Sequence, residues 1–554
     1  MVGGQRLPGV PMARYRGSQG VDPPIDQPGK VLRHGRSDME IRTVDGHEAL
    51  VRSLLDPERW PQGGAHRARI DTHISTVVLA GDRAYKIKKP LNLGFLDFVS
   101  LASRKAACDE ELRLNRRLAP QVYERVCAVT GSIAEPRMDG DGAPIDWAVC
   151  MRRFDPDAVL SNPRLTIDGV LIDRLADAVA TFHTAAPPCP PGEIYGDPDT
   201  VWWPMHDNFG QLEEGGGDTA QRVMRIEDWT ADAARRVRDL LLQRKRDGYV
   251  RECHGDLHLG NVALIDGRPV VFDAIEFNPA FRWIDTINDV AFLTMDLHHR
   301  GRSDLAYRFI DRYLALTGDY AALRLLRFYE VYRALVRAKI AAIRLHQLGA
   351  ADGRDSVQAE VDSYVYLAER LAAPMRGAIV ITCGVSGSGK SHHSAHLPGP
   401  LAAVRVRADV ERKRLLGVDA DRDVTAQGGY TAAMTARTYD RLAELARTIA
   451  GSGLVAVVDA TFVDRTQRVR FRALADELGV PFLILDFEAP ADMLRERIVR
   501  RRSKAGNVSD ADIAVLERQL IARDPLDMSE RSVSLSVLPD QADLADAVRR
   551  RLRC

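Results

Sequence analysis

The chain has 554 residues, with 77 lysines and arginines balanced by 77 aspartates and glutamates. That length is more than one hydrophobic core serves, so at least two domains are expected, and the charge balance argues against nucleic acid or an anionic membrane as the main partner. Seven cysteines, none spaced as CxxC, argue against a disulfide framework or a cysteine zinc site, and no apolar run approaches the ~18 residues of a membrane span, so a reducing cytoplasm is the expected compartment.

Residues 1–38 are rich in Gly, Pro, Arg and Asp and poor in large apolar residues, a composition that predicts a disordered tail. Met39 stands immediately before the first amphipathic pattern, "MEIRTVDGHEALVRSLLD", so translation could begin there. From Thr76, "TVVLAGDRAYKIKK" predicts two strands around a Gly81-Asp82 turn, followed by a charged helix over about 100–118 and an apolar strand, "WAVCMRRF". Lys86 and Lys88 fall on one face of the second strand. Either suits the α/β-phosphates of a nucleotide, Lys86 being favoured, and the alternative is an exposed strand edge. The helix offers Glu111, in preference to Glu110, as the lysine's carboxylate partner. Beyond it the pattern is mostly helical, with "IDRLADAVATFH", "DLAYRFIDRYLALTG" and "VDSYVYLAERLA" among the segments with helical spacing.

Between these helices lies "HGDLHLGNVALIDGRPVVFD", residues 254–273. A metal hydrolase would use His254, Asp256 and His258, but zinc sites need a further placed ligand and no companion histidine cluster exists. A kinase catalytic loop needs an aspartate to take the acceptor's proton, an asparagine five residues on for Mg2+, and a strand-borne aspartate for Mg2+ at the phosphates. Asp256, Asn261 and Asp273 match in type, order and spacing. Glu276, Asp285 and Asp289 follow, either an acidic surface for a polycation or carboxylates that are solvated or paired within the fold.

Pro374 ends the last helix of this region, and from Ala378 apolar strands alternate with helices: "AIVITC", "LAAVRVR", "LVAVVD", "PFLILDF" and "VSLSVL". That alternation predicts a parallel sheet covered on both faces. After the first strand, "GVSGSGKS" is a phosphate-binding loop in the required context. Gly384, Gly387 and Gly389, with Ser386 and Ser388 between them, let backbone N–H groups wrap phosphates, Lys390 neutralises their charge, and Ser391 offers a hydroxyl to Mg2+. The next strand is expected to deliver Asp409 at its carboxyl end as a proton acceptor, with Arg412 behind it to hold an anion. "VVDATF" places Asp459 as a second Mg2+ carboxylate. In "MLRERIVRRRSKAG", Arg497 and Arg501, with Arg495, Arg500 and Arg502, suit a lid over the transferring phosphate, a solvated basic helix face being the alternative. His392 and His393 are expected to be exposed.

The stretches "GVSGSGKS", "RADVERKRLLG", "VVDATF" and "RERIVRRR" resemble the small P-loop kinases that group with polynucleotide kinase 5′-domains and zeta-toxin-type kinases. The resemblance implies Asp409 as general base and Arg412 as a substrate contact, and leaves the acceptor open. "HGDLHLGN" and "VFDAIEF" resemble the choline and aminoglycoside phosphotransferase family, which implies Asp256 as base, Asn261 and Asp273 as metal ligands, and His254 and His258 as organisers of the loop. No GxGxxG precedes the lysine strand and no APE follows Asp273, which argues against a protein kinase.

Together these readings predict an α+β bilobal kinase-like domain over 39–373, followed by an α/β P-loop domain over 374–554. Both are expected to use ATP and Mg2+ on a small-molecule acceptor, a nucleic acid end being less favoured. The rival reading is an ATP-hydrolysing regulatory switch whose first domain is a ligand-binding module.

Overall fold

A computed structural model describes residues 41–56, 67–94, 96–212, 218–348, 352–418, 431–502, 513–538, 541 and 543–552. The expected tail at 1–38 and the start at Met39 lie outside them.

The first region opens with helix α1 (Val44–Leu54), then strands β1 (Arg67–Asp71), β2 (Ser75–Ala80) and β3 (Arg83–Lys88), helix α2 (Leu101–Asn115), and strands β4 (Tyr123–Gly131), β5 (Pro136–Met138) and β6 (Asp146–Arg152). They form one antiparallel sheet in the order β1-β2-β3-β6-β4-β5. The β2/β3 hairpin turns at Gly81, whose φ of +62° suits a residue without Cβ. Period-two alternation then divides β3: Tyr85 and Ile87 pack with Leu50, Val51 and Leu54 of α1, while Lys86 and Lys88 take the opposite face, toward α2. Since β3 lies between β2 and β6, these lysines are buried in the middle of the sheet and are not an exposed edge.

The larger, helical portion holds α3 (Gly169–Ala185), α4 (Pro198–Leu212) and α5 (Asp218–Arg246). After them come short strands β7 (Val250–Glu252), β8 (Val262–Ile265), β9 (Arg268–Val271) and β10 (Trp283–Asp285), then α6 (Thr286–His299), α7 (Ser303–Thr317), α8 (Leu323–Leu348) and α9 (Arg354–Ala372). Helix α6 is buried on every side from Thr286 to His298, so it shows no amphipathic stripe, which is why periodicity does not single it out.

The second region contains β11 (Ala378–Cys383), α10 (Lys390–Ser394), α11 (Pro398–Leu401), β12 (Ala403–Arg407), α12 (Ala408–Leu415), α13 (Ala432–Gly451), β13 (Val455–Asp459), α14 (Arg465–Leu478) and β14 (Phe482–Phe487). Helices α15 (Ala491–Arg502), α16 (Ile513–Ala522) and α17 (Met528–Ser532), strand β15 (Ser534–Val537) and helix α18 (Leu544–Leu552) complete it. Its five strands are parallel, in the order β12-β13-β11-β14-β15. The regions meet along α7, where Asp311 Oδ1 accepts the Arg405 N–H at 2.6 Å and Arg414 Nη2 donates to the Ala315 carbonyl at 2.8 Å. No described helix is long and apolar enough to cross a membrane.

Candidate active sites

In the first region, burying two lysines requires carboxylates. Lys86 Nζ donates to Glu111 Oε1 at 2.9 Å and also contacts Asp273; Lys88 bonds the other Glu111 oxygen and Glu276. Burial opposes charge on Glu111, but the two lysines outweigh it and hold its carboxyl down to about 2. For Lys86, burial is likewise outweighed by Asp273 and Glu111, which raise it. Glu110, the less favoured choice on α2, faces Arg113 and Arg282 instead.

The loop from His254 to Asn261 is fixed largely by its own side chains. His254 Nε2 donates to the Phe272 carbonyl at 2.9 Å, leaving Nδ1 to accept the Asp256 N–H at 3.2 Å. His258 Nδ1 accepts the Gly260 N–H at 3.0 Å, which turns Nε2 toward Asp256 Oδ2 at 3.3 Å. Asn261 Nδ2 donates to the same oxygen at 2.9 Å. Asp256 keeps 36% of its side chain open, enough for an acceptor hydroxyl to reach it. Burial alone would raise its pKa, but His258, with His254 and Arg333 beyond, holds the carboxyl well below the usual carboxylate range. Asp273 has φ +66°, a left-handed conformation at the end of β9; its N–H donates to Tyr123 Oη at 3.2 Å, and the next N–H donates to Asn115 Oδ1 at 2.8 Å. The small and large portions of the region thus converge on Asp273.

Asp289 accepts the N–H groups of His254 and Gly255, and Asp296, two turns along α6, accepts the Leu259 N–H at 3.0 Å. Sequence reasoning missed these anchors, since nothing in the spacing tells an aspartate that holds a loop from one that faces water. Of the readings open for the three acidic residues, pairing within the fold holds: Glu276 pairs with Lys88, Asp285 with Arg244, and Asp289 with the loop and His183, all three being buried where an unpaired carboxylate would be costly.

In the second region, the loop from Gly384 to Lys390 closes tightly between β11 and α10. A Cβ on Gly384 would lie 2.6 Å from the Phe487 carbonyl, and φ is +149° at Gly384 and +99° at Gly389, so both positions require glycine. Lys390 is buried and Nζ donates to the Val385 carbonyl at 2.8 Å; the Ser386 N–H donates to Gln519 Oε1 at 2.8 Å. Gln519, from α16, is a second residue that spacing did not reveal. Ser388 is buried beside Lys390 at 3.5 Å, while Ser391 is exposed. Asp459 accepts from Ser394 Oγ at 3.0 Å, one turn beyond Ser391. Arg497 Nη1 reaches the Gly387 carbonyl at 3.4 Å, whereas Arg495 pairs with Glu517. The Arg501 and Arg502 side chains lie outside the described residues.

Asp409 follows the carboxyl end of β12, which stops at Arg407, and stands in the first turn of α12; two placements differ from expectation. Arg412, one turn on, is buried and its Nη1 bonds Asp409 at 2.8 Å, so the two act as a pair. His393 is buried against Phe487, its ring 5.7 Å away, and only His392 is exposed.

A tight glycine cradle with a lysine inside suits a nucleotide's phosphates, and an amide just before β8 with a carboxylate just after β9 suits Mg2+, a hard ion with oxygen ligands. The model of the phosphotransferase enzyme family matches residues 95–326, and that of an AAA domain matches residues 379–526. An uncharacterized protein of Mycobacterium tuberculosis is 31% identical over 452 residues, 80% of this chain and 87% of that protein. Adenylyl-sulfate kinase of Myxococcus xanthus is 31% identical over 137 residues, 24% of this chain and 71% of that enzyme. Among solved structures, a choline/ethanolamine kinase family protein from Mesorhizobium loti matches at 14% identity, covering 59% of this chain and 95% of its own, with a TM-score of 0.36.

Proposed function

The chain belongs to one family with that mycobacterial protein and is an ATP-dependent kinase, its phosphotransferase-family domain preceding a P-loop domain; on that basis we propose that each domain moves the γ-phosphoryl group of Mg-ATP to a hydroxyl of a small molecule in the cytoplasm. The observation that carries this reading is Asp256, a carboxylate low in pKa, open on one side and steered on the other by Asn261 and His258. Asp256 takes the acceptor's proton as the oxygen bonds to phosphorus and the bond to the departing ADP oxygen breaks. Mg2+, when bound, offsets the phosphates' charge; Asn261 and Asp273 would hold it in the first domain, Ser391 and Asp459 in the second. Lys86, oriented by Glu111, meets the phosphates in the first domain, and Lys390 with Arg497 in the second, where Asp409 serves as base with Arg412 beside it. The domains are taken as 39–373 and 374–554.

The test is transfer of labelled γ-phosphate from ATP into a metabolite extract by the full chain and by Asp256→Ala and Lys390→Ala variants. Each substitution is expected to remove one labelled product, with a loss on the order of 10²-fold or more at its own site. Label recovered only as inorganic phosphate would favour an ATP-hydrolysing switch instead.

A further inference from the structure

Helix α8 packs on α6, which holds the loop bearing Asp256, and what α8 carries near that loop is positive. Arg333 is 5% exposed, its Nε donates to Asn288 Oδ1 at 2.8 Å, and its guanidinium lies 4.7 Å from the Phe292 ring centre. Phe292 in turn packs 5.3 Å from the His258 ring, and His258 touches Asp256. Arg337, one turn along the same face, lies 5.6 Å from the Tyr364 ring centre. Neither guanidinium, Arg333 buried and Arg337 partly so, makes an ion pair among the described residues, whereas the other buried arginines there, Arg104, Arg244, Arg282, Arg412 and Arg468, each hold a carboxylate. Through-space effects agree with the placement: Arg333 helps lower Asp256, and Asp256 helps raise Arg337. A buried guanidinium without a carboxylate is costly unless a ligand supplies the anion. The carboxylates that would attract a cationic acceptor, Glu276, Asp285 and Asp289, are already committed to internal partners.

Building on the kinase reading of this site, we propose that the first domain's acceptor is an anion, a hydroxyl compound carrying a phosphate, sulfate or carboxylate group, which Arg333 and Arg337 bind while its hydroxyl faces Asp256. A forked guanidinium reads planar or tetrahedral oxyanions with paired N–H groups, and the aromatic faces of Phe292 and Tyr364 hold the forks in place. The same arrangement repels choline-like or aminoglycoside-like acceptors.

The test uses the full chain with Lys390→Ala, which silences the second domain, and a metabolite extract split on an anion exchanger before the reaction. Labelled product is expected from the retained, anionic pool. Arg333→Gln and Arg337→Gln should each raise the acceptor KM by about tenfold or more, with the KM for ATP unchanged. Sodium sulfate should compete with the acceptor in the parent protein and lose that effect in the double variant. Arg333→Lys, which keeps the charge should Arg333→Gln fold poorly, should recover part of the affinity. Product arising from the unretained pool overturns the proposal. So does a fall in kcat with a displaced pH profile at constant acceptor KM, which would make Arg333 a positioning residue for Asp256. If neither pool is labelled while ATP is still hydrolysed, the phosphoryl-transfer reading itself fails, and this inference with it.

Discussion

The carboxylate of Asp289 accepts the backbone N–H of His254 at 2.9 Å through one oxygen and that of Gly255 at 2.9 Å through the other. A residue on the most deeply buried helix therefore sets the backbone from which Asp256 projects. Asp289→Ala leaves two buried donors unpaired and frees the loop to shift. We expect first-domain kcat to fall by about 10²-fold with the KM for ATP little changed, read by steady-state phosphoryl transfer. Unchanged kcat would mean that His254 and His258 hold the loop unaided.

The two lysines of β3 are expected to separate on mutation. Lys86, which touches both Glu111 and Asp273, is 7% exposed; Lys88 is fully buried between Glu111 and Glu276. Lys86→Met should lower first-domain turnover by about 10²-fold while leaving the fold intact. Lys88→Met strips Glu276 of its cation and should cost roughly 3 kcal/mol in stability, measured by urea unfolding.

His47 supplies a pH signature. It is fully buried on α1, with Nε2 3.0 Å from Thr76 Oγ1 and Nδ1 without a hydrogen-bond partner among the described residues, and burial lowers its pKa to about 4. The folded state binds that proton less tightly than the unfolded chain, so the stabilisation is present above pH 6.5 and is lost as pH falls from about 6.5 to 4, by roughly 3 kcal/mol in all. His47→Gln, which keeps a donor toward Thr76, should flatten that part of the stability-pH curve. An identical slope in the variant would assign it to other groups.

At the seam between domains, Asp311 is the acceptor for the Arg405 N–H. Asp311→Ala leaves that N–H unmatched at the start of the segment leading to α12, and should cost about 1–3 kcal/mol. Differential scanning calorimetry should show the second domain's transition moving down more than the first's.

The opposing fates of the predicted residues follow from how far apart in the chain their partners lie. Asp256, Asn261 and Asp273 were legible because a kinase loop and the strand after it are contiguous, and Gly384 to Ser391 because a phosphate cradle is built from successive N–H groups. His393 was expected at the surface because nothing beside it in the chain shows that Phe487, from β14, packs against its ring. Glu276, Asp285 and Asp289 stayed open between a polycation surface and paired carboxylates because their partners lie across the fold, at Lys88, Arg244 and the backbone of residues 254–255.

By itself the sequence determined two nucleotide-type motifs, the kinase chemistry they carry, and the change from a mixed to an alternating β/α pattern near residue 374, because each depends on residues adjacent in the chain. Only the tertiary structure decided that Lys86 and Lys88 share Glu111, that Asp289 and Gln519 hold the two loops, and that Arg333, set against Asn288 and Phe292, makes no ion pair among the described residues. Those relationships join helices and strands far apart in sequence, and burial, which makes an unpaired charge costly, is what selects them.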